Sequence, residues 1–94
     1  MIYFIQEKDP PHRIKVGFSD KPLERIAEIT AGFSQHMTVL KVIEGTREDE
    51  TWLHRHLKYD VGARVEGKRE WYHPYPEMLD YVNSEWATFP GAAA

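Results

Sequence analysis

Residues 1–19 contain two strand-like runs separated by a segment that neither run can continue. Met1–Gln6 and Arg13–Ser19 are rich in β-branched and aromatic residues, and the Asp9-Pro10-Pro11 segment between them is typical of a turn or loop. Two strands joined by so short a connection are expected to pair antiparallel. The chain therefore begins with a β-hairpin, and the remaining elements must pack around it.

Alternation along the hairpin assigns its side chains to two faces. The apolar residues of the second strand alternate, which leaves Lys15 and Gly17 together on the other face. Placing Ile2 and Phe4 in the core puts Tyr3 on the same face as Lys15. The pattern thus predicts one hairpin face that carries both Tyr3 and Lys15.

The rest of the chain alternates between helix and strand signals. The hairpin is followed by a predicted helix capped by Asp20 and running to about Ala31, and by a strand at Met37–Gly45 that is apolar on both faces, as a central strand would be. The next predicted helix is opened by a Thr46–Asp49 capping box and runs to about Asp60. The last predicted elements are a loop at Val61–Gly67, a short extended piece at Glu70–Tyr72 and a closing helix at Pro76–Trp86. The apolar arcs of the first two helices are expected to bury Leu23 and Tyr59. This order predicts an α+β fold with a small three-stranded, largely antiparallel sheet and flanking helices (β-β-α-β-α-α).

The length allows one compact core. Residues 1–86 are expected to form a single domain, and residues 87–94 a flexible tail whose terminal alanines are typical of a cloning remnant. The absence of cysteine excludes a disulfide-linked partner and favours a reducing, cytoplasmic compartment. No apolar run approaches the roughly 20 residues that cross a membrane, and the N-terminus lacks the basic leader of a signal peptide.

The net charge of −3 is unevenly distributed along the chain. Residues 74–94 contain three acidic residues and no Lys or Arg, so residues 1–73 balance at 12 basic against 12 acidic. A locally basic stretch lies within the balanced part, and we expect it to bind nucleic acid. Its members are Arg55, Lys58, Arg64, Lys68 and Arg69.

Polar side chains at the margins of the apolar arcs are candidates for chemistry. Arg25 lies at the margin of the first helix, and Glu50 and His54, at i and i+4, stack at the margin of the second. A phosphodiesterase needs a metal ligand, a cation for the charge that develops on phosphorus, and a group that places or deprotonates water. Glu50 fits the first role and Arg25 the second. Tyr3, Lys15 and His54 are candidates for the third.

Each of these residues has an ordinary structural explanation when taken alone. A glutamate near a helix N-terminus favours the helix dipole, and a marginal arginine covers apolar surface with its stem. Glu50 and His54 could form a simple i,i+4 pair. The order of the motifs along the chain is what favours a site.

Five short motifs follow one another in a specific order. They are Ile2-Tyr3-Phe4, Lys15-Val16-Gly17, Arg25 ten residues after Lys15, the frame Glu50-x-x-Leu53-His54-x-x-Leu57, and Glu70-Trp71-Tyr72. Over roughly residues 2–82 this order resembles the GIY-YIG nuclease superfamily. The likeness is greatest to its compact phage and bacterial branch, whose second triplet often reads Lys-Ile-Gly and whose closing element reads Glu-Trp-Phe.

The resemblance implies a metal-dependent endonuclease that hydrolyses phosphodiester bonds, in DNA more readily than in RNA. Glu50 would hold one Mg²⁺ or Mn²⁺ and Arg25 would neutralise the phosphate. Two departures bear on activity: Lys15 replaces a tyrosine that resembles the general base of better-known members, and the family's downstream asparagine has no counterpart. We expect Lys15 to be a phosphate-binding group kept charged by Glu50, with Tyr3 or His54 accepting the proton. Tyr3, Lys15, Arg25 and Glu50 should then converge on one concave face.

Two other functions remain open. A nucleic-acid-binding module could keep the fold and the basic stretch without useful catalysis, and its binding would weaken steeply with salt. A protein-interaction domain of phage origin would instead use the acidic segment and aromatic residues such as Trp86 and Phe89.

Overall fold

The computed structural model describes residues 1–32 and 36–83. Within them the chain forms four strands and three helices: β1 Ile2–Glu7, β2 Ile14–Phe18, α1 Pro22–Gly32, β3 Met37–Ile43, α2 Arg47–Tyr59, β4 Trp71–Tyr72 and α3 Pro76–Asn83. The predicted end of the closing helix at residues 84–86, and the tail at 87–94, lie outside the described residues. None of the helices formed by the described residues is long and apolar enough to span a membrane.

The sheet is antiparallel throughout, with the strand order β3-β1-β2-β4. The predicted α+β class is confirmed, but the predicted count of three strands is wrong, because Trp71–Tyr72 pairs with β2 as a fourth strand. Two residues are too few to show a strand period in the sequence. The prediction that Met37–Gly45 is central is also wrong: β3 is an edge strand, and its Thr38 and Val39 are exposed.

Helices cover both faces of the sheet. Alternate residues of the hairpin, Ile2 and Phe4 among them, pack on one face against core residues of α2 and α3. Tyr3 and Ile5 point to the other face, where Ile26 of α1 packs against them. The hairpin pairing and the predicted face parity are therefore confirmed. The site described below lies on the Tyr3 side, between α1 and the start of α2.

Helix α1 begins one residue later than its predicted cap implies. The N–H of Arg25 donates to the Lys21 carbonyl, so Lys21 rather than Asp20 precedes the first helical residue, Pro22. Proline is favoured there because the first helical N–H needs no partner. Leu23 was predicted to be inward but is 73 % exposed, because only the later turns of α1 reach the sheet.

Helix α2 begins with the predicted capping box. Thr46 accepts from the Asp49 N–H, and the Asp49 carboxylate accepts from the Thr46 N–H. Leu53 and Leu57 fill the core. The prediction that Tyr59 is buried is wrong: its side chain is 70 % exposed, because it lies at the end of the helix, beyond Leu57.

Candidate functional site

The Tyr3 ring lies directly across Gly17. The two residues are partners in the β1–β2 register, and a Cβ at position 17 would come within 2.3 Å of the Tyr3 hydroxyl oxygen. Glycine is therefore required in the second triplet, because any side chain would displace the ring. This packing holds Tyr3 almost completely buried, with its hydroxyl at the wall of a cavity.

That cavity, of about 630 Å³, lies between the hairpin, α1 and the start of α2. We call it the Arg25 cavity. Its lining residues are Tyr3, Phe18, Ser19, Asp20, Lys21, Glu24, Arg25, Glu28, Arg47, Glu50 and Glu70. Three of the four residues expected on one concave face, Tyr3, Arg25 and Glu50, thus share one cavity. Lys15 does not line it and instead contacts Glu70, which does.

Arg25 is held at the mouth of the cavity by two side chains. Its guanidinium donates to the Glu28 carboxylate at 3.2 Å and also to the Tyr3 hydroxyl. Both contacts raise the pKa of Arg25, with Glu28 contributing more. Because the Arg25–Glu28 pair is exposed, it adds little stability, and an anionic ligand could replace Glu28 at small cost.

Tyr3 is a neutral phenol in this setting. Burial is the main reason that its pKa lies above the ordinary value; the nearby Glu70 raises it further, and the hydrogen bond from Arg25 opposes the shift. A phenol with a raised pKa is a hydrogen-bonding group rather than an effective base at neutral pH. This argues for a positioning role for Tyr3 beside Arg25.

Glu50, His54 and Glu70 form a cluster whose carboxylate oxygens and imidazole nitrogen lie within 4.8 Å of one another. Glu50 and His54 are one turn apart on α2, with His54 Nε2 3.4 Å from the Glu50 carboxylate. Glu70 immediately precedes β4 and reaches the same point from the other side. We call this group the Glu50 cluster.

The ion-pair partner of Lys15 differs from the expected one. Lys15 forms an ion pair with Glu70, not with Glu50. The cause is the fourth strand: β4 pairs with β2 so that Lys15 stands opposite Trp71, which brings the preceding Glu70 alongside the ammonium. The Lys15 side chain is only 12 % exposed.

Tyr72 fixes the His54 ring from within the core. The Tyr72 hydroxyl lies 2.5 Å from His54 Nδ1, and the two rings stack. Burial raises the pKa of Tyr72 strongly, so its hydroxyl stays protonated and can either donate to Nδ1 or accept from it. The state of Nδ1 sets which tautomer His54 presents at Nε2, toward Glu50.

Three residues that shape this site were not assigned roles from the sequence: Arg47, Glu70 and Tyr72. For Glu70 and Tyr72, the Glu70-Trp71-Tyr72 triplet was the sequence feature that could have indicated a role in the site. Arg47, in the first turn of α2, had no signal of its own.

A second cavity, of about 960 Å³, continues from the first along α2. We call it the basic groove. Its lining residues are Arg47, Glu50, Thr51, His54, Arg55, Lys58, Tyr59, Arg64, Gly67, Lys68, Arg69, Glu70 and Trp71. All five residues of the predicted basic stretch are among them, on α2 and on the segment between α2 and β4. The groove and the Arg25 cavity meet at Arg47, Glu50 and Glu70.

Comparison with known proteins identifies a family for this chain. No curated protein and no solved structure matches the chain. The family model of the T5orf172 domain matches residues 1–87. This phage domain family is associated with GIY-YIG-like nucleases and homing endonucleases, which indicates a phage-type nuclease or DNA-binding module. Because the match covers nearly the whole chain, the protein belongs to the T5orf172 domain family.

Proposed function

We propose that the protein is a metal-dependent endonuclease that hydrolyses phosphodiester bonds in DNA. The observation that carries the proposal is the position of the Glu50 cluster. It lies where a cavity with an exposed guanidinium meets a groove lined by basic side chains. A phosphate held at this junction would be near a cation and near carboxylates at once, while the flanking strand would run along the basic groove.

The cluster fits a divalent cation by the chemistry of its donors. Two carboxylates suit Mg²⁺ or Mn²⁺. Glu50 and Glu70 would hold the ion. When bound, it would neutralise charge on the phosphate and lower the pKa of water. The ion pair with Lys15 already holds the Glu70 carboxylate close to the cluster. Lys15 would also compete with the ion for that carboxylate.

His54 is the best-placed proton acceptor. If Nδ1 donates to the Tyr72 hydroxyl, Nε2 presents a lone pair toward the cluster, within reach of a water molecule between it and the phosphate. Tyr72 acts through His54 and is a positioning residue. Arg25 would bind the phosphate oxygens and offset the charge that develops on them, with Tyr3 holding its guanidinium in place.

A second candidate function is a DNA-binding module without useful cleavage. The Lys15–Glu70 ion pair favours it, because the pair engages one of the two carboxylates that an ion would need. Lys15 also stands where better-known members of the resembled superfamily have a tyrosine. Both functions use the basic groove, so DNA binding alone does not distinguish them.

The test is incubation of supercoiled plasmid with the protein in Mg²⁺, Mn²⁺ or EDTA, read as nicked and linear product. We expect nicking by the wild type with a divalent ion, none in EDTA, and loss of nicking in Glu50→Gln. Glu48→Gln is the matched control, because Glu48 is exposed in the same turn of α2 and lines neither cavity. Binding without nicking would favour the second candidate. Neither binding nor nicking would overturn both.

A further inference from the structure

We propose that the basic groove binds unpaired nucleotides, with a base stacked on the Tyr59 ring, so that the preferred ligand is single-stranded DNA or DNA with a single-stranded segment. This inference rests on the proposed function for the assumption that the ligand is nucleic acid. It goes further by naming the form of that nucleic acid. The observations that carry it are the exposure of Tyr59 and its position in the groove.

Tyr59 is exposed at a place where an aromatic ring gains nothing from the fold. It is the last residue of α2, 70 % of its surface is exposed, and it lies past the core residue Leu57. Its described ring contact is with a cation: the Lys58 ammonium lies 4.9 Å from the ring centroid. A large ring with a cation beside it combines a stacking surface for a base with a partner for the adjacent phosphate.

Trp71 lines the same groove but is not available in the same way. The Arg13 guanidinium and the Lys15 ammonium lie 4.9 and 5.6 Å from the Trp71 ring, and the side chain is half-buried beside β2. Trp71 therefore belongs to the wall of the groove. Among the aromatic residues in the described lining of the groove, Tyr59 is the most exposed and the one on which a base can stack.

The chemistry of stacking selects unpaired bases. Inside a duplex both faces of each base are covered by its neighbours, so an exposed ring can stack only on an unpaired or terminal base. Duplex DNA would meet the groove through its phosphates alone. Because the groove runs from Tyr59 to Glu50 and Glu70, a strand stacked on Tyr59 would lead toward the Glu50 cluster.

The test is fluorescence anisotropy in EDTA with a labelled single-stranded oligonucleotide and a blunt duplex of the same sequence, long enough that internal sites far outnumber its two ends. Tyr59→Ala should weaken single-strand binding by roughly 5- to 150-fold, the range for losing one base–aromatic stack, and should leave duplex binding unchanged. Tyr59→Phe should retain wild-type affinity because it keeps the ring. The dependence of single-strand binding on salt should be the same in Tyr59→Ala as in wild type, because no phosphate contact is removed.

Tyr75→Ala is the matched control. Tyr75 is 46 % exposed, stacks on His73 and does not line the groove, so its loss should change neither affinity. The proposal is overturned if Tyr59→Ala binds the single strand as tightly as wild type, if it loses single-strand and duplex binding equally, or if wild type binds no nucleic acid. Plasmid nicking with unchanged binding by Tyr59→Ala would overturn this inference alone. Tyr59-dependent binding without any nicking would overturn the endonuclease alone.

Discussion

Lys15 is the residue at which the chain departs most clearly from the better-known members of the superfamily it resembles. The sequence suggested a phosphate-binding group held by Glu50. In the structure its side chain is mostly buried and lines neither cavity, and its ammonium pairs with Glu70. Its first contact is therefore with a proposed metal ligand rather than with solvent. A divalent ion drawn to Glu70 would have to compete with this ammonium.

Replacing Lys15 distinguishes a phosphate-binding role from a role as a competitor of the metal ion for Glu70. Lys15→Met should tighten Mn²⁺ binding by at least roughly thirtyfold, because a unit charge about 4 Å from a divalent cation opposes it by about 2 kcal/mol even at the dielectric constant of water. Lys15→Arg should bind Mn²⁺ as wild type does. In EDTA, the salt dependence of DNA binding should be unchanged by Lys15→Met. A fall of about 0.9 in the slope of log affinity against log salt, with unchanged Mn²⁺ affinity, would instead establish a direct phosphate contact.

At the scale of elements, the hairpin carries its own partly buried ion pair. Glu7, at the end of β1, is buried and accepts hydrogen bonds from Arg13 Nε at 2.8 Å and from the Arg13 backbone N–H at 2.8 Å. The Arg13 side-chain hydrogen bond is the main reason that the pKa of Glu7 lies below its ordinary value. This contribution to stability is present above the carboxyl pKa of the unfolded chain. It is lost as the pH falls through the lower pKa of the folded state.

Glu7→Gln should therefore reduce the free energy of unfolding by roughly 1–2 kcal/mol at pH 7, in line with a hydrogen bond to a charged group. The difference from wild type should shrink as the pH falls below about 4, where the carboxyl of the unfolded chain becomes protonated before that of the folded protein. Urea unfolding at pH 7 and pH 3 measures it, with the exposed Glu66→Gln as control. A deficit as large at pH 3 as at pH 7 would show that the carboxylate charge is not what stabilises the hairpin.

The elements that could be predicted from the sequence are those with a local period or a local cap. The period of two in the hairpin placed Tyr3 on the face opposite the main core, and the Thr46–Asp49 pair located the start of α2. The i,i+4 spacing brought His54 to Glu50. Each of these relations is contained within a few residues or within one tight hairpin.

The contacts that could not be predicted are those between residues that are far apart in the sequence. Glu70 reaches the site only because a two-residue strand, after a long loop, pairs with β2. Tyr72 reaches His54 across 18 positions of sequence. Tyr59 matched the apolar arc of α2, but an arc does not reveal where the core ends along the helix axis. The candidate residues on α2 could therefore be predicted, whereas their partners could not.

At the scale of the whole molecule, the net charge of −3 does not describe the surface that DNA would meet. The described lining of the basic groove includes six Lys and Arg side chains and two carboxylates, and those two belong to the Glu50 cluster. Such a concentration of one sign raises the local density of a polyanionic ligand even on an acidic protein. The fold thus gathers positive charge around the cluster proposed to bind a metal.

The most direct test of this account is a calorimetric titration of the protein with Mn²⁺, without DNA. Wild type and Glu66→Gln should each bind Mn²⁺ saturably at one site. Glu70→Gln should lose at least roughly tenfold in affinity, since even partners outside the ligand set commonly contribute that much. Equal affinities for wild type and Glu70→Gln, or no saturable binding by wild type, would contradict a metal centre at Glu50 and Glu70.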